Sequence, residues 1–394
     1  MKKKKKLLTK EEEIYDRLRQ KFEPDVGIPI PLTPVLSKLQ KFFCPTAEHA
    51  ELCLLMNITT VADRSGGKTA AELAAESGKD IKKVEVMLEE LGDRGTIYRA
   101  ERQGEPGILE FSLEVFWSIA ETLSLVNQHG PIGIAHHELV TAFYDSGARQ
   151  EWGRSEYPMW RTLTVNEVID SASKVLWWET AQEIIKKHDK IAIAYCGCRV
   201  RERKCNHRID TCFVMGPFAD AAVHHSKDIP GSRLIHYITQ EKALKRLEEC
   251  IKEGLVPLTF NSKDLGKDHL MPFICMCCSC CCHILATYHR GNTGWGDPYA
   301  LQKSNLRPEW DRQKCILCNK CVDMCPVNAL WHHYPHKADL SDDYIFYEKD
   351  RCIGCGICAF NCPSKAIIMK KVSDFEPEST LMETIMKHTE KAVH

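Results

Sequence analysis

The sequence predicts a multidomain α+β chain, and three observations carry that expectation. Near the C-terminus, Cys315-x-x-Cys318-x-x-Cys321-x-x-x-Cys325-Pro326 recurs 37 residues later as Cys352-x-x-Cys355-x-x-Cys358-x-x-x-Cys362-Pro363. Apart from Cys250, ten more cysteines gather between Cys196 and Cys282, where short apolar strands end. Residues 34–112 alternate helical patterns with capping residues and close on a hairpin pattern. A length of 394 residues suits two or three domains, and 44% hydrophobic residues are enough for ordinary packed cores. The composition shifts place a charged helix and proline-rich arm at 1–33, a helix-and-hairpin domain at 34–112 and a helical connector at 113–190. A central cysteine-rich α/β domain follows at 191–300, the repeat domain at 301–375 and a C-terminal tail at 376–394.

Glu11 to Phe22 reads as a charged helix, and Pro24, Pro29, Pro31 and Pro34 then exclude a helix interior. Helices are expected at 35–43 and 46–56. Thr69 caps Ala70–Glu76, Gly78 stops it, and Asp80 caps a helix running to about Arg94. In that helix Ile81, Val84, Met87, Leu88 and Leu91 form an apolar stripe at helical spacing. Ile97–Ala100 and Ile108–Phe111 read as two strands around the polar tip Gln103–Gly107. This order resembles a winged helix-turn-helix domain. Ser65-Gly66-Gly67-Lys68-Thr69 ends like a phosphate-binding loop, but Ala62 stands where that motif needs glycine and no apolar strand precedes it. DNA binding is not expected, because Lys79, Lys82, Lys83 and Arg94 are balanced by Asp80, Glu85, Glu89, Glu90 and Asp93. A protein-docking or structural winged helix is the better expectation for this domain.

Phe116, Trp117, Phe143, Tyr144, Trp152, Tyr157, Trp160, Trp177 and Trp178 read chiefly as core aromatics. The adjacent pairs His136-His137 and His224-His225 diverge on either regular element and make poor metal sites.

In the central segment, the apolar run Ile191–Tyr195 leads directly into Cys196-Gly197-Cys198-Arg199, and Cys205 and Cys212 follow. A helix over about 241–253 leads to the strand Leu255–Phe260, and Pro272-Phe273-Ile274 meets Cys275, Cys277, Cys278, Cys280, Cys281 and Cys282. Single buried cysteines serve as small hydrophobes, the expected fate of Cys44, Cys53 and Cys250. Ten gathered thiols are metal ligands by expectation, chiefly for iron–sulfur centres. Six cysteines within eight positions cannot all hold one cube, so either some are structural or two clusters share the segment. Arg199 and Arg201 are placed to offset cluster charge.

The C-terminal spacing is the signature of bacterial two-cluster ferredoxins, in which three ligands come from one Cys-x-x-Cys-x-x-Cys loop and the fourth from the other repeat. On that rule Cys315, Cys318, Cys321 and Cys362 hold one [4Fe-4S] cube, and Cys352, Cys355, Cys358 and Cys325 hold the other. Paired four-cysteine zinc sites use two separated Cys-x-x-Cys pairs, a different arrangement.

The Cys196–Arg199 start, Cys205, Cys212, Gly254-Leu255-Val256 and Ile274–Cys282, set immediately before such a repeat, resemble a group of 4Fe-4S binding proteins from anaerobic bacteria and archaea. The likeness spans roughly 190–370. It implies redox-linked electron transfer in anaerobic metabolism, but names no substrate and carries over no catalytic residue. That family often has histidine after Gly-Leu-Val; Pro257 stands here and cannot be a ligand.

Together these readings predict a cytoplasmic electron carrier with two [4Fe-4S] clusters and one or two further Fe–S centres. Its redox partner would be a ferredoxin or an oxidoreductase subunit. A reductase would need an open iron site or an organic cofactor, and no dinucleotide glycine motif occurs. A redox-responsive regulator would need a basic recognition helix. The basic start Met1–Lys6 is followed by only Leu7 and Leu8, so no export signal is expected. With a net charge of −1, no global field favours nucleic acid or a membrane surface.

Overall fold

The structure, a computed structural model, describes residues 8–26, 30–59, 66–114, 130–149, 153, 155–228, 235–263, 272–290, 301–335 and 342–391. The Lys2–Lys6 run, Ser65, Phe116, Trp117 and Trp152 lie outside them. By its internal contacts the chain divides into two compact units, Met1–Glu151 with Ala221–Leu234 and Trp152–Asp220 with Ile235–His394.

In the first unit the opening helix is Lys10–Val26, so it continues past Pro24 instead of stopping before it. Leu36–Phe43 and Ala47–Leu55 follow, the latter capped by the Thr46 hydroxyl, which accepts the His49 N–H. Ala70–Ser77 starts with a reciprocal Thr69/Glu72 capping box and ends at Gly78, whose φ of 65° is the left-handed conformation glycine adopts most cheaply. Asp80 caps Ile81–Asp93, whose Val84, Met87, Leu88 and Leu91 are buried. Ile81, expected in that stripe, is 43% exposed, and the buried face begins at Val84. Strand β1 (Ile58–Thr59) pairs parallel to β3 (Leu109–Glu114), and β2 (Ile97–Glu101) pairs antiparallel to it. β1 is two residues long and leaves no period-2 signal in the sequence. The helix Pro131–Phe143 packs on Leu36–Phe43, and its His136 ring lies against Phe42 and Phe43. His136 and His137 are thus buried core residues.

The second unit is built on a six-stranded sheet. Its strands are β4 (Trp160–Thr162), β5 (Ile191–Tyr195), β6 (Asp210–Met215), β7 (His236–Ile238), β8 (Val256–Phe260) and β9 (Phe273–Cys277), in the order β4-β8-β9-β6-β5-β7. Every pairing in it is antiparallel. The expected α/β reading is therefore corrected to α+β. The helix between β5 and β6, Gly197–Glu202, has only six residues, too few for the crossover a parallel pair requires. Strand β6 was not foreseen. Within the segment expected as a helical connector, residues 155–180 form β4 and short 3₁₀ turns, because Tyr157, Trp160 and Trp178 pack as core without a helical period.

The repeat region adds two ribbons, β10 (Leu306–Trp310) with β13 (Ile367–Lys371) and β11 (Leu330–His333) with β12 (Tyr344–Tyr347). The short helices Lys320–Asp323 and Ile357–Phe360 complete it. Residues 376–394, expected as a tail, contain the helix Leu381–Glu390, anchored where Thr384 Oγ1 donates to the Asn261 carbonyl at 2.8 Å.

Candidate metal centres

Two cavities in the repeat region are lined by thiols. One is lined by Cys325, Cys352, Cys355 and Cys358 among apolar residues such as Pro308, Leu330 and Met369. The other is lined by Cys315, Cys318, Cys321 and Cys362 with Trp310, Ile345 and Ile367. Each brings three cysteines of one repeat together with the last cysteine of the other. A cavity alone identifies neither, since an apolar pocket beside Leu18, Phe22 and Phe43 holds a single thiol, Cys44. The ligand pattern decides: four soft sulfurs, three from one Cys-x-x-Cys-x-x-Cys loop and the fourth from the other repeat, suit iron–sulfur chemistry.

Backbone amides complete these sites. Ala329 N–H donates to Cys325 Sγ at 3.2 Å, and Ala366 N–H, 37 residues later, donates to Cys362 Sγ at 3.3 Å. Gly354 N–H donates to Cys352 Sγ at 3.4 Å. Such bonds disperse thiolate charge and favour the reduced state of a bound cluster. The two cavities flank one core, in which Cys321, Cys358 and Cys362 pack against Leu306, Ala359, Ile367 and Met369. Burial pushes the Cys355 thiol up, whereas Cys318 is exposed.

The ten central cysteines sort into two sets. Cys212 and Cys275 are direct cross-strand partners on β6 and β9, with sulfurs 3.7 Å apart. Cys277, two positions along β9, shares the face of Cys275. Cys196 follows β5 and caps the next helix, Cys198 lies in that helix, and Cys282 precedes the helix His283–Arg290. Thiol–thiol contacts run from Cys212 to Cys196, Cys198, Cys282, Cys277, Cys275 and back to Cys212, a closed ring of six. Hydrogen bonds from Cys212 and Cys277 hold the Cys275 thiol below its ordinary value, down to about 7. The second set is Cys205, Cys278, Cys280 and Cys281, whose Sγ atoms all lie within 4.8 Å of one another.

The run Cys275–Cys282 is thus divided by its own backbone. The strand and the helix start aim Cys275, Cys277 and Cys282 to one set, and the intervening turn carries Cys278, Cys280 and Cys281 to the other. The period-2 alternation of Cys275 and Cys277 was the signal available in the sequence.

Arg199 and Arg201 are buried rather than spent on surface ion pairs. Arg199 donates to the Met276 carbonyl at 2.9 Å and to Thr211 Oγ1, and the thiols of Cys196, Cys278 and Cys212 surround it. Arg201 Nη2 lies 4.0 Å from Cys198 Sγ. Cys44, Cys53 and Cys250 are buried outside both sets; the sulfurs of Cys44 and Cys53 lie 3.7 Å apart.

Residues 314–366 match the 4Fe-4S dicluster domain family. No curated protein and no solved structure matches the chain. The protein therefore carries a 4Fe-4S dicluster domain, with the iron–sulfur electron-transfer role such a domain supports. Among the described residues, no helix is long and apolar enough to cross a membrane.

Proposed function

We propose that the protein is a multi-centre electron carrier in which the six-thiol ring exchanges single electrons with two [4Fe-4S] clusters held in crossed fashion by the repeat cysteines. The observation that carries this reading is one helix. His283–Arg290 begins immediately after Cys282 of the ring, and six residues on, Tyr288 Oη donates to the Arg351 carbonyl at 2.8 Å, next to Cys352. That is about 9 Å of helix and a single hydrogen bond between the two sets of sulfur ligands.

Bound clusters would supply one-electron sites, and the chain's residues do the rest. Amides at Ala329, Gly354 and Ala366 stabilise added negative charge, Arg199 and Arg201 offset the thiolates of the ring, and apolar walls exclude water from the two cavities. The exposed Cys318 and Ile316, the latter 65% exposed, make the Cys315 set the port for a partner such as a ferredoxin or an oxidoreductase subunit. We place the carrier in an anaerobic cytoplasm. Residues 34–112 act in this reading as a winged-helix-like docking domain. Lys79 and Lys83 are both engaged by Glu48, which leaves little free positive charge for DNA. The exposed Ile81 and Val86 suit a protein partner.

The test is iron content and reduction of the anaerobically purified full chain. More than eight irons per chain are expected, with reduction by viologen and reoxidation by ferredoxin. Eight irons, unchanged when Cys275, Cys277 and Cys282 are replaced by serine, would remove the central centre from the carrier.

A further inference from the structure

We infer that Cys205, Cys278, Cys280 and Cys281 bind one tetrahedral zinc ion and take no part in an iron–sulfur cube. Cys205 Sγ is 3.9 Å from Cys278 Sγ and 3.6 Å from Cys281 Sγ. Four thiolates around one zinc at about 2.3 Å stand about 3.8 Å apart along the tetrahedron's edges. A cube places a separate iron under every sulfur, so its ligands stand further apart. The dicluster domain is an internal standard: all eight of its repeat cysteines are described, and no three of them come within the 4.8 Å that encloses this set.

The donor set is closed. Four thiolates leave no open coordination position, which is the character of a structural zinc site. Charge is partly offset on the protein side, because the Lys204 N–H donates to Cys281 and the Arg199 guanidinium faces Cys278. The connectivity gives the ion its task. Cys205 follows the helix Gly197–Glu202, and Cys278–Cys281 form a turn closed by the Cys282 N–H to the Cys278 carbonyl at 3.1 Å. A clasp between these loops fixes Cys277 and Cys282, which flank the turn and belong to the six-thiol ring. The inference does not rest on the electron-carrier reading: iron content tests that reading and zinc content tests this one.

The experiment measures zinc and iron by mass spectrometry in the anaerobically purified full chain, with zinc X-ray absorption to count the coordinating atoms. One zinc per chain with four sulfurs at about 2.3 Å is expected. Cys205→Ser loses that zinc and leaves the eight irons of the dicluster domain in place. Cys280→His keeps the zinc with three sulfurs and one nitrogen, a result that a variant damaged in folding does not give. Iron in place of zinc, one atom or four, overturns the inference, as does a wild-type chain without zinc.

Discussion

Leu317 and Gly354 occupy the same position in the two cysteine repeats, 37 residues apart, and both hold left-handed backbone, with φ of 54° and 74°. The correspondence extends to Asn319 and Gly356 (61° and 82°) and to Asn328 and Lys365 (48° and 51°). Each Cys-x-x-Cys-x-x-Cys loop therefore turns twice through a conformation that glycine adopts freely and other residues adopt at a cost. The second repeat uses glycine at both turns, and the first uses leucine and asparagine.

Gly354 has no room for a side chain. A Cβ there would collide with the Leu306 carbonyl oxygen and sit 2.8 Å from Arg307 Nη1. Gly354→Ala is expected to cost about 1–3 kcal/mol from backbone strain alone. The collision adds to this, and iron bound by the Cys352 loop falls with it. Leu317→Gly removes strain at the equivalent turn and should leave iron content and thermal midpoint close to wild type. Iron analysis and calorimetry of the two variants check the pair. Equal losses in both would mean that the repeats are not conformationally equivalent.

Cross-ligation makes a separate prediction. Cys362 lines the cavity of Cys315, Cys318 and Cys321, and Cys325 lines that of Cys352, Cys355 and Cys358. Cys362→Ser should alter the electron paramagnetic resonance signal of the cluster in the more exposed cavity, and Cys325→Ser that of the other. The reverse assignment would uncross the ligands.

Much of this arrangement was legible in the sequence because ligand spacing and caps are local signals. The Thr69 and Asp80 caps, the strand at Ile191–Tyr195 and the doubled cysteine spacing each depend on a few neighbouring residues. The division of the central thiols was not legible, because it depends on the pairing of β6 with β9, which sets Cys212 opposite Cys275 across 63 positions of chain. The antiparallel sense of the sheet was missed for the same reason. The pattern of apolar strands and helices records burial, and strand direction follows from connections too short to cross over.

Acid should weaken the first unit through His49. Burial holds its imidazole below the ordinary value of 6.5, against the opposing pull of Glu90. The unfolded chain therefore binds this proton at higher pH than the fold does. The stabilising contribution is complete above the unfolded value and declines as pH falls below it, towards the depressed folded value. His49→Gln, which cannot titrate, should lose less stability than wild type between pH 7.5 and 5.5. Thermal unfolding across that range checks the sign; parallel curves would place the acid sensitivity elsewhere.

In the proposed carrier the route between the ring and the dicluster domain would rest on Tyr288, so Tyr288→Phe is the sharpest test of that proposal. The tyrosine is buried, and the Cys352 and Cys325 thiols lie near enough to raise its pKa, after burial itself, to about 12. It stays protonated at neutral pH and keeps its bond to the Arg351 carbonyl. Removing the hydroxyl deletes that bond without changing the ring, at a cost of about 1 kcal/mol. Iron content and both ground-state spectra should be unchanged, while electron transfer from the flash-reduced dicluster domain to the central centre slows. If the internal rate is unaltered in a fully loaded variant, electrons do not pass along His283–Arg290. The adjacency of Val165 to the Cys355 carbonyl, where its N–H donates at 3.2 Å, would then be the next route to interrupt.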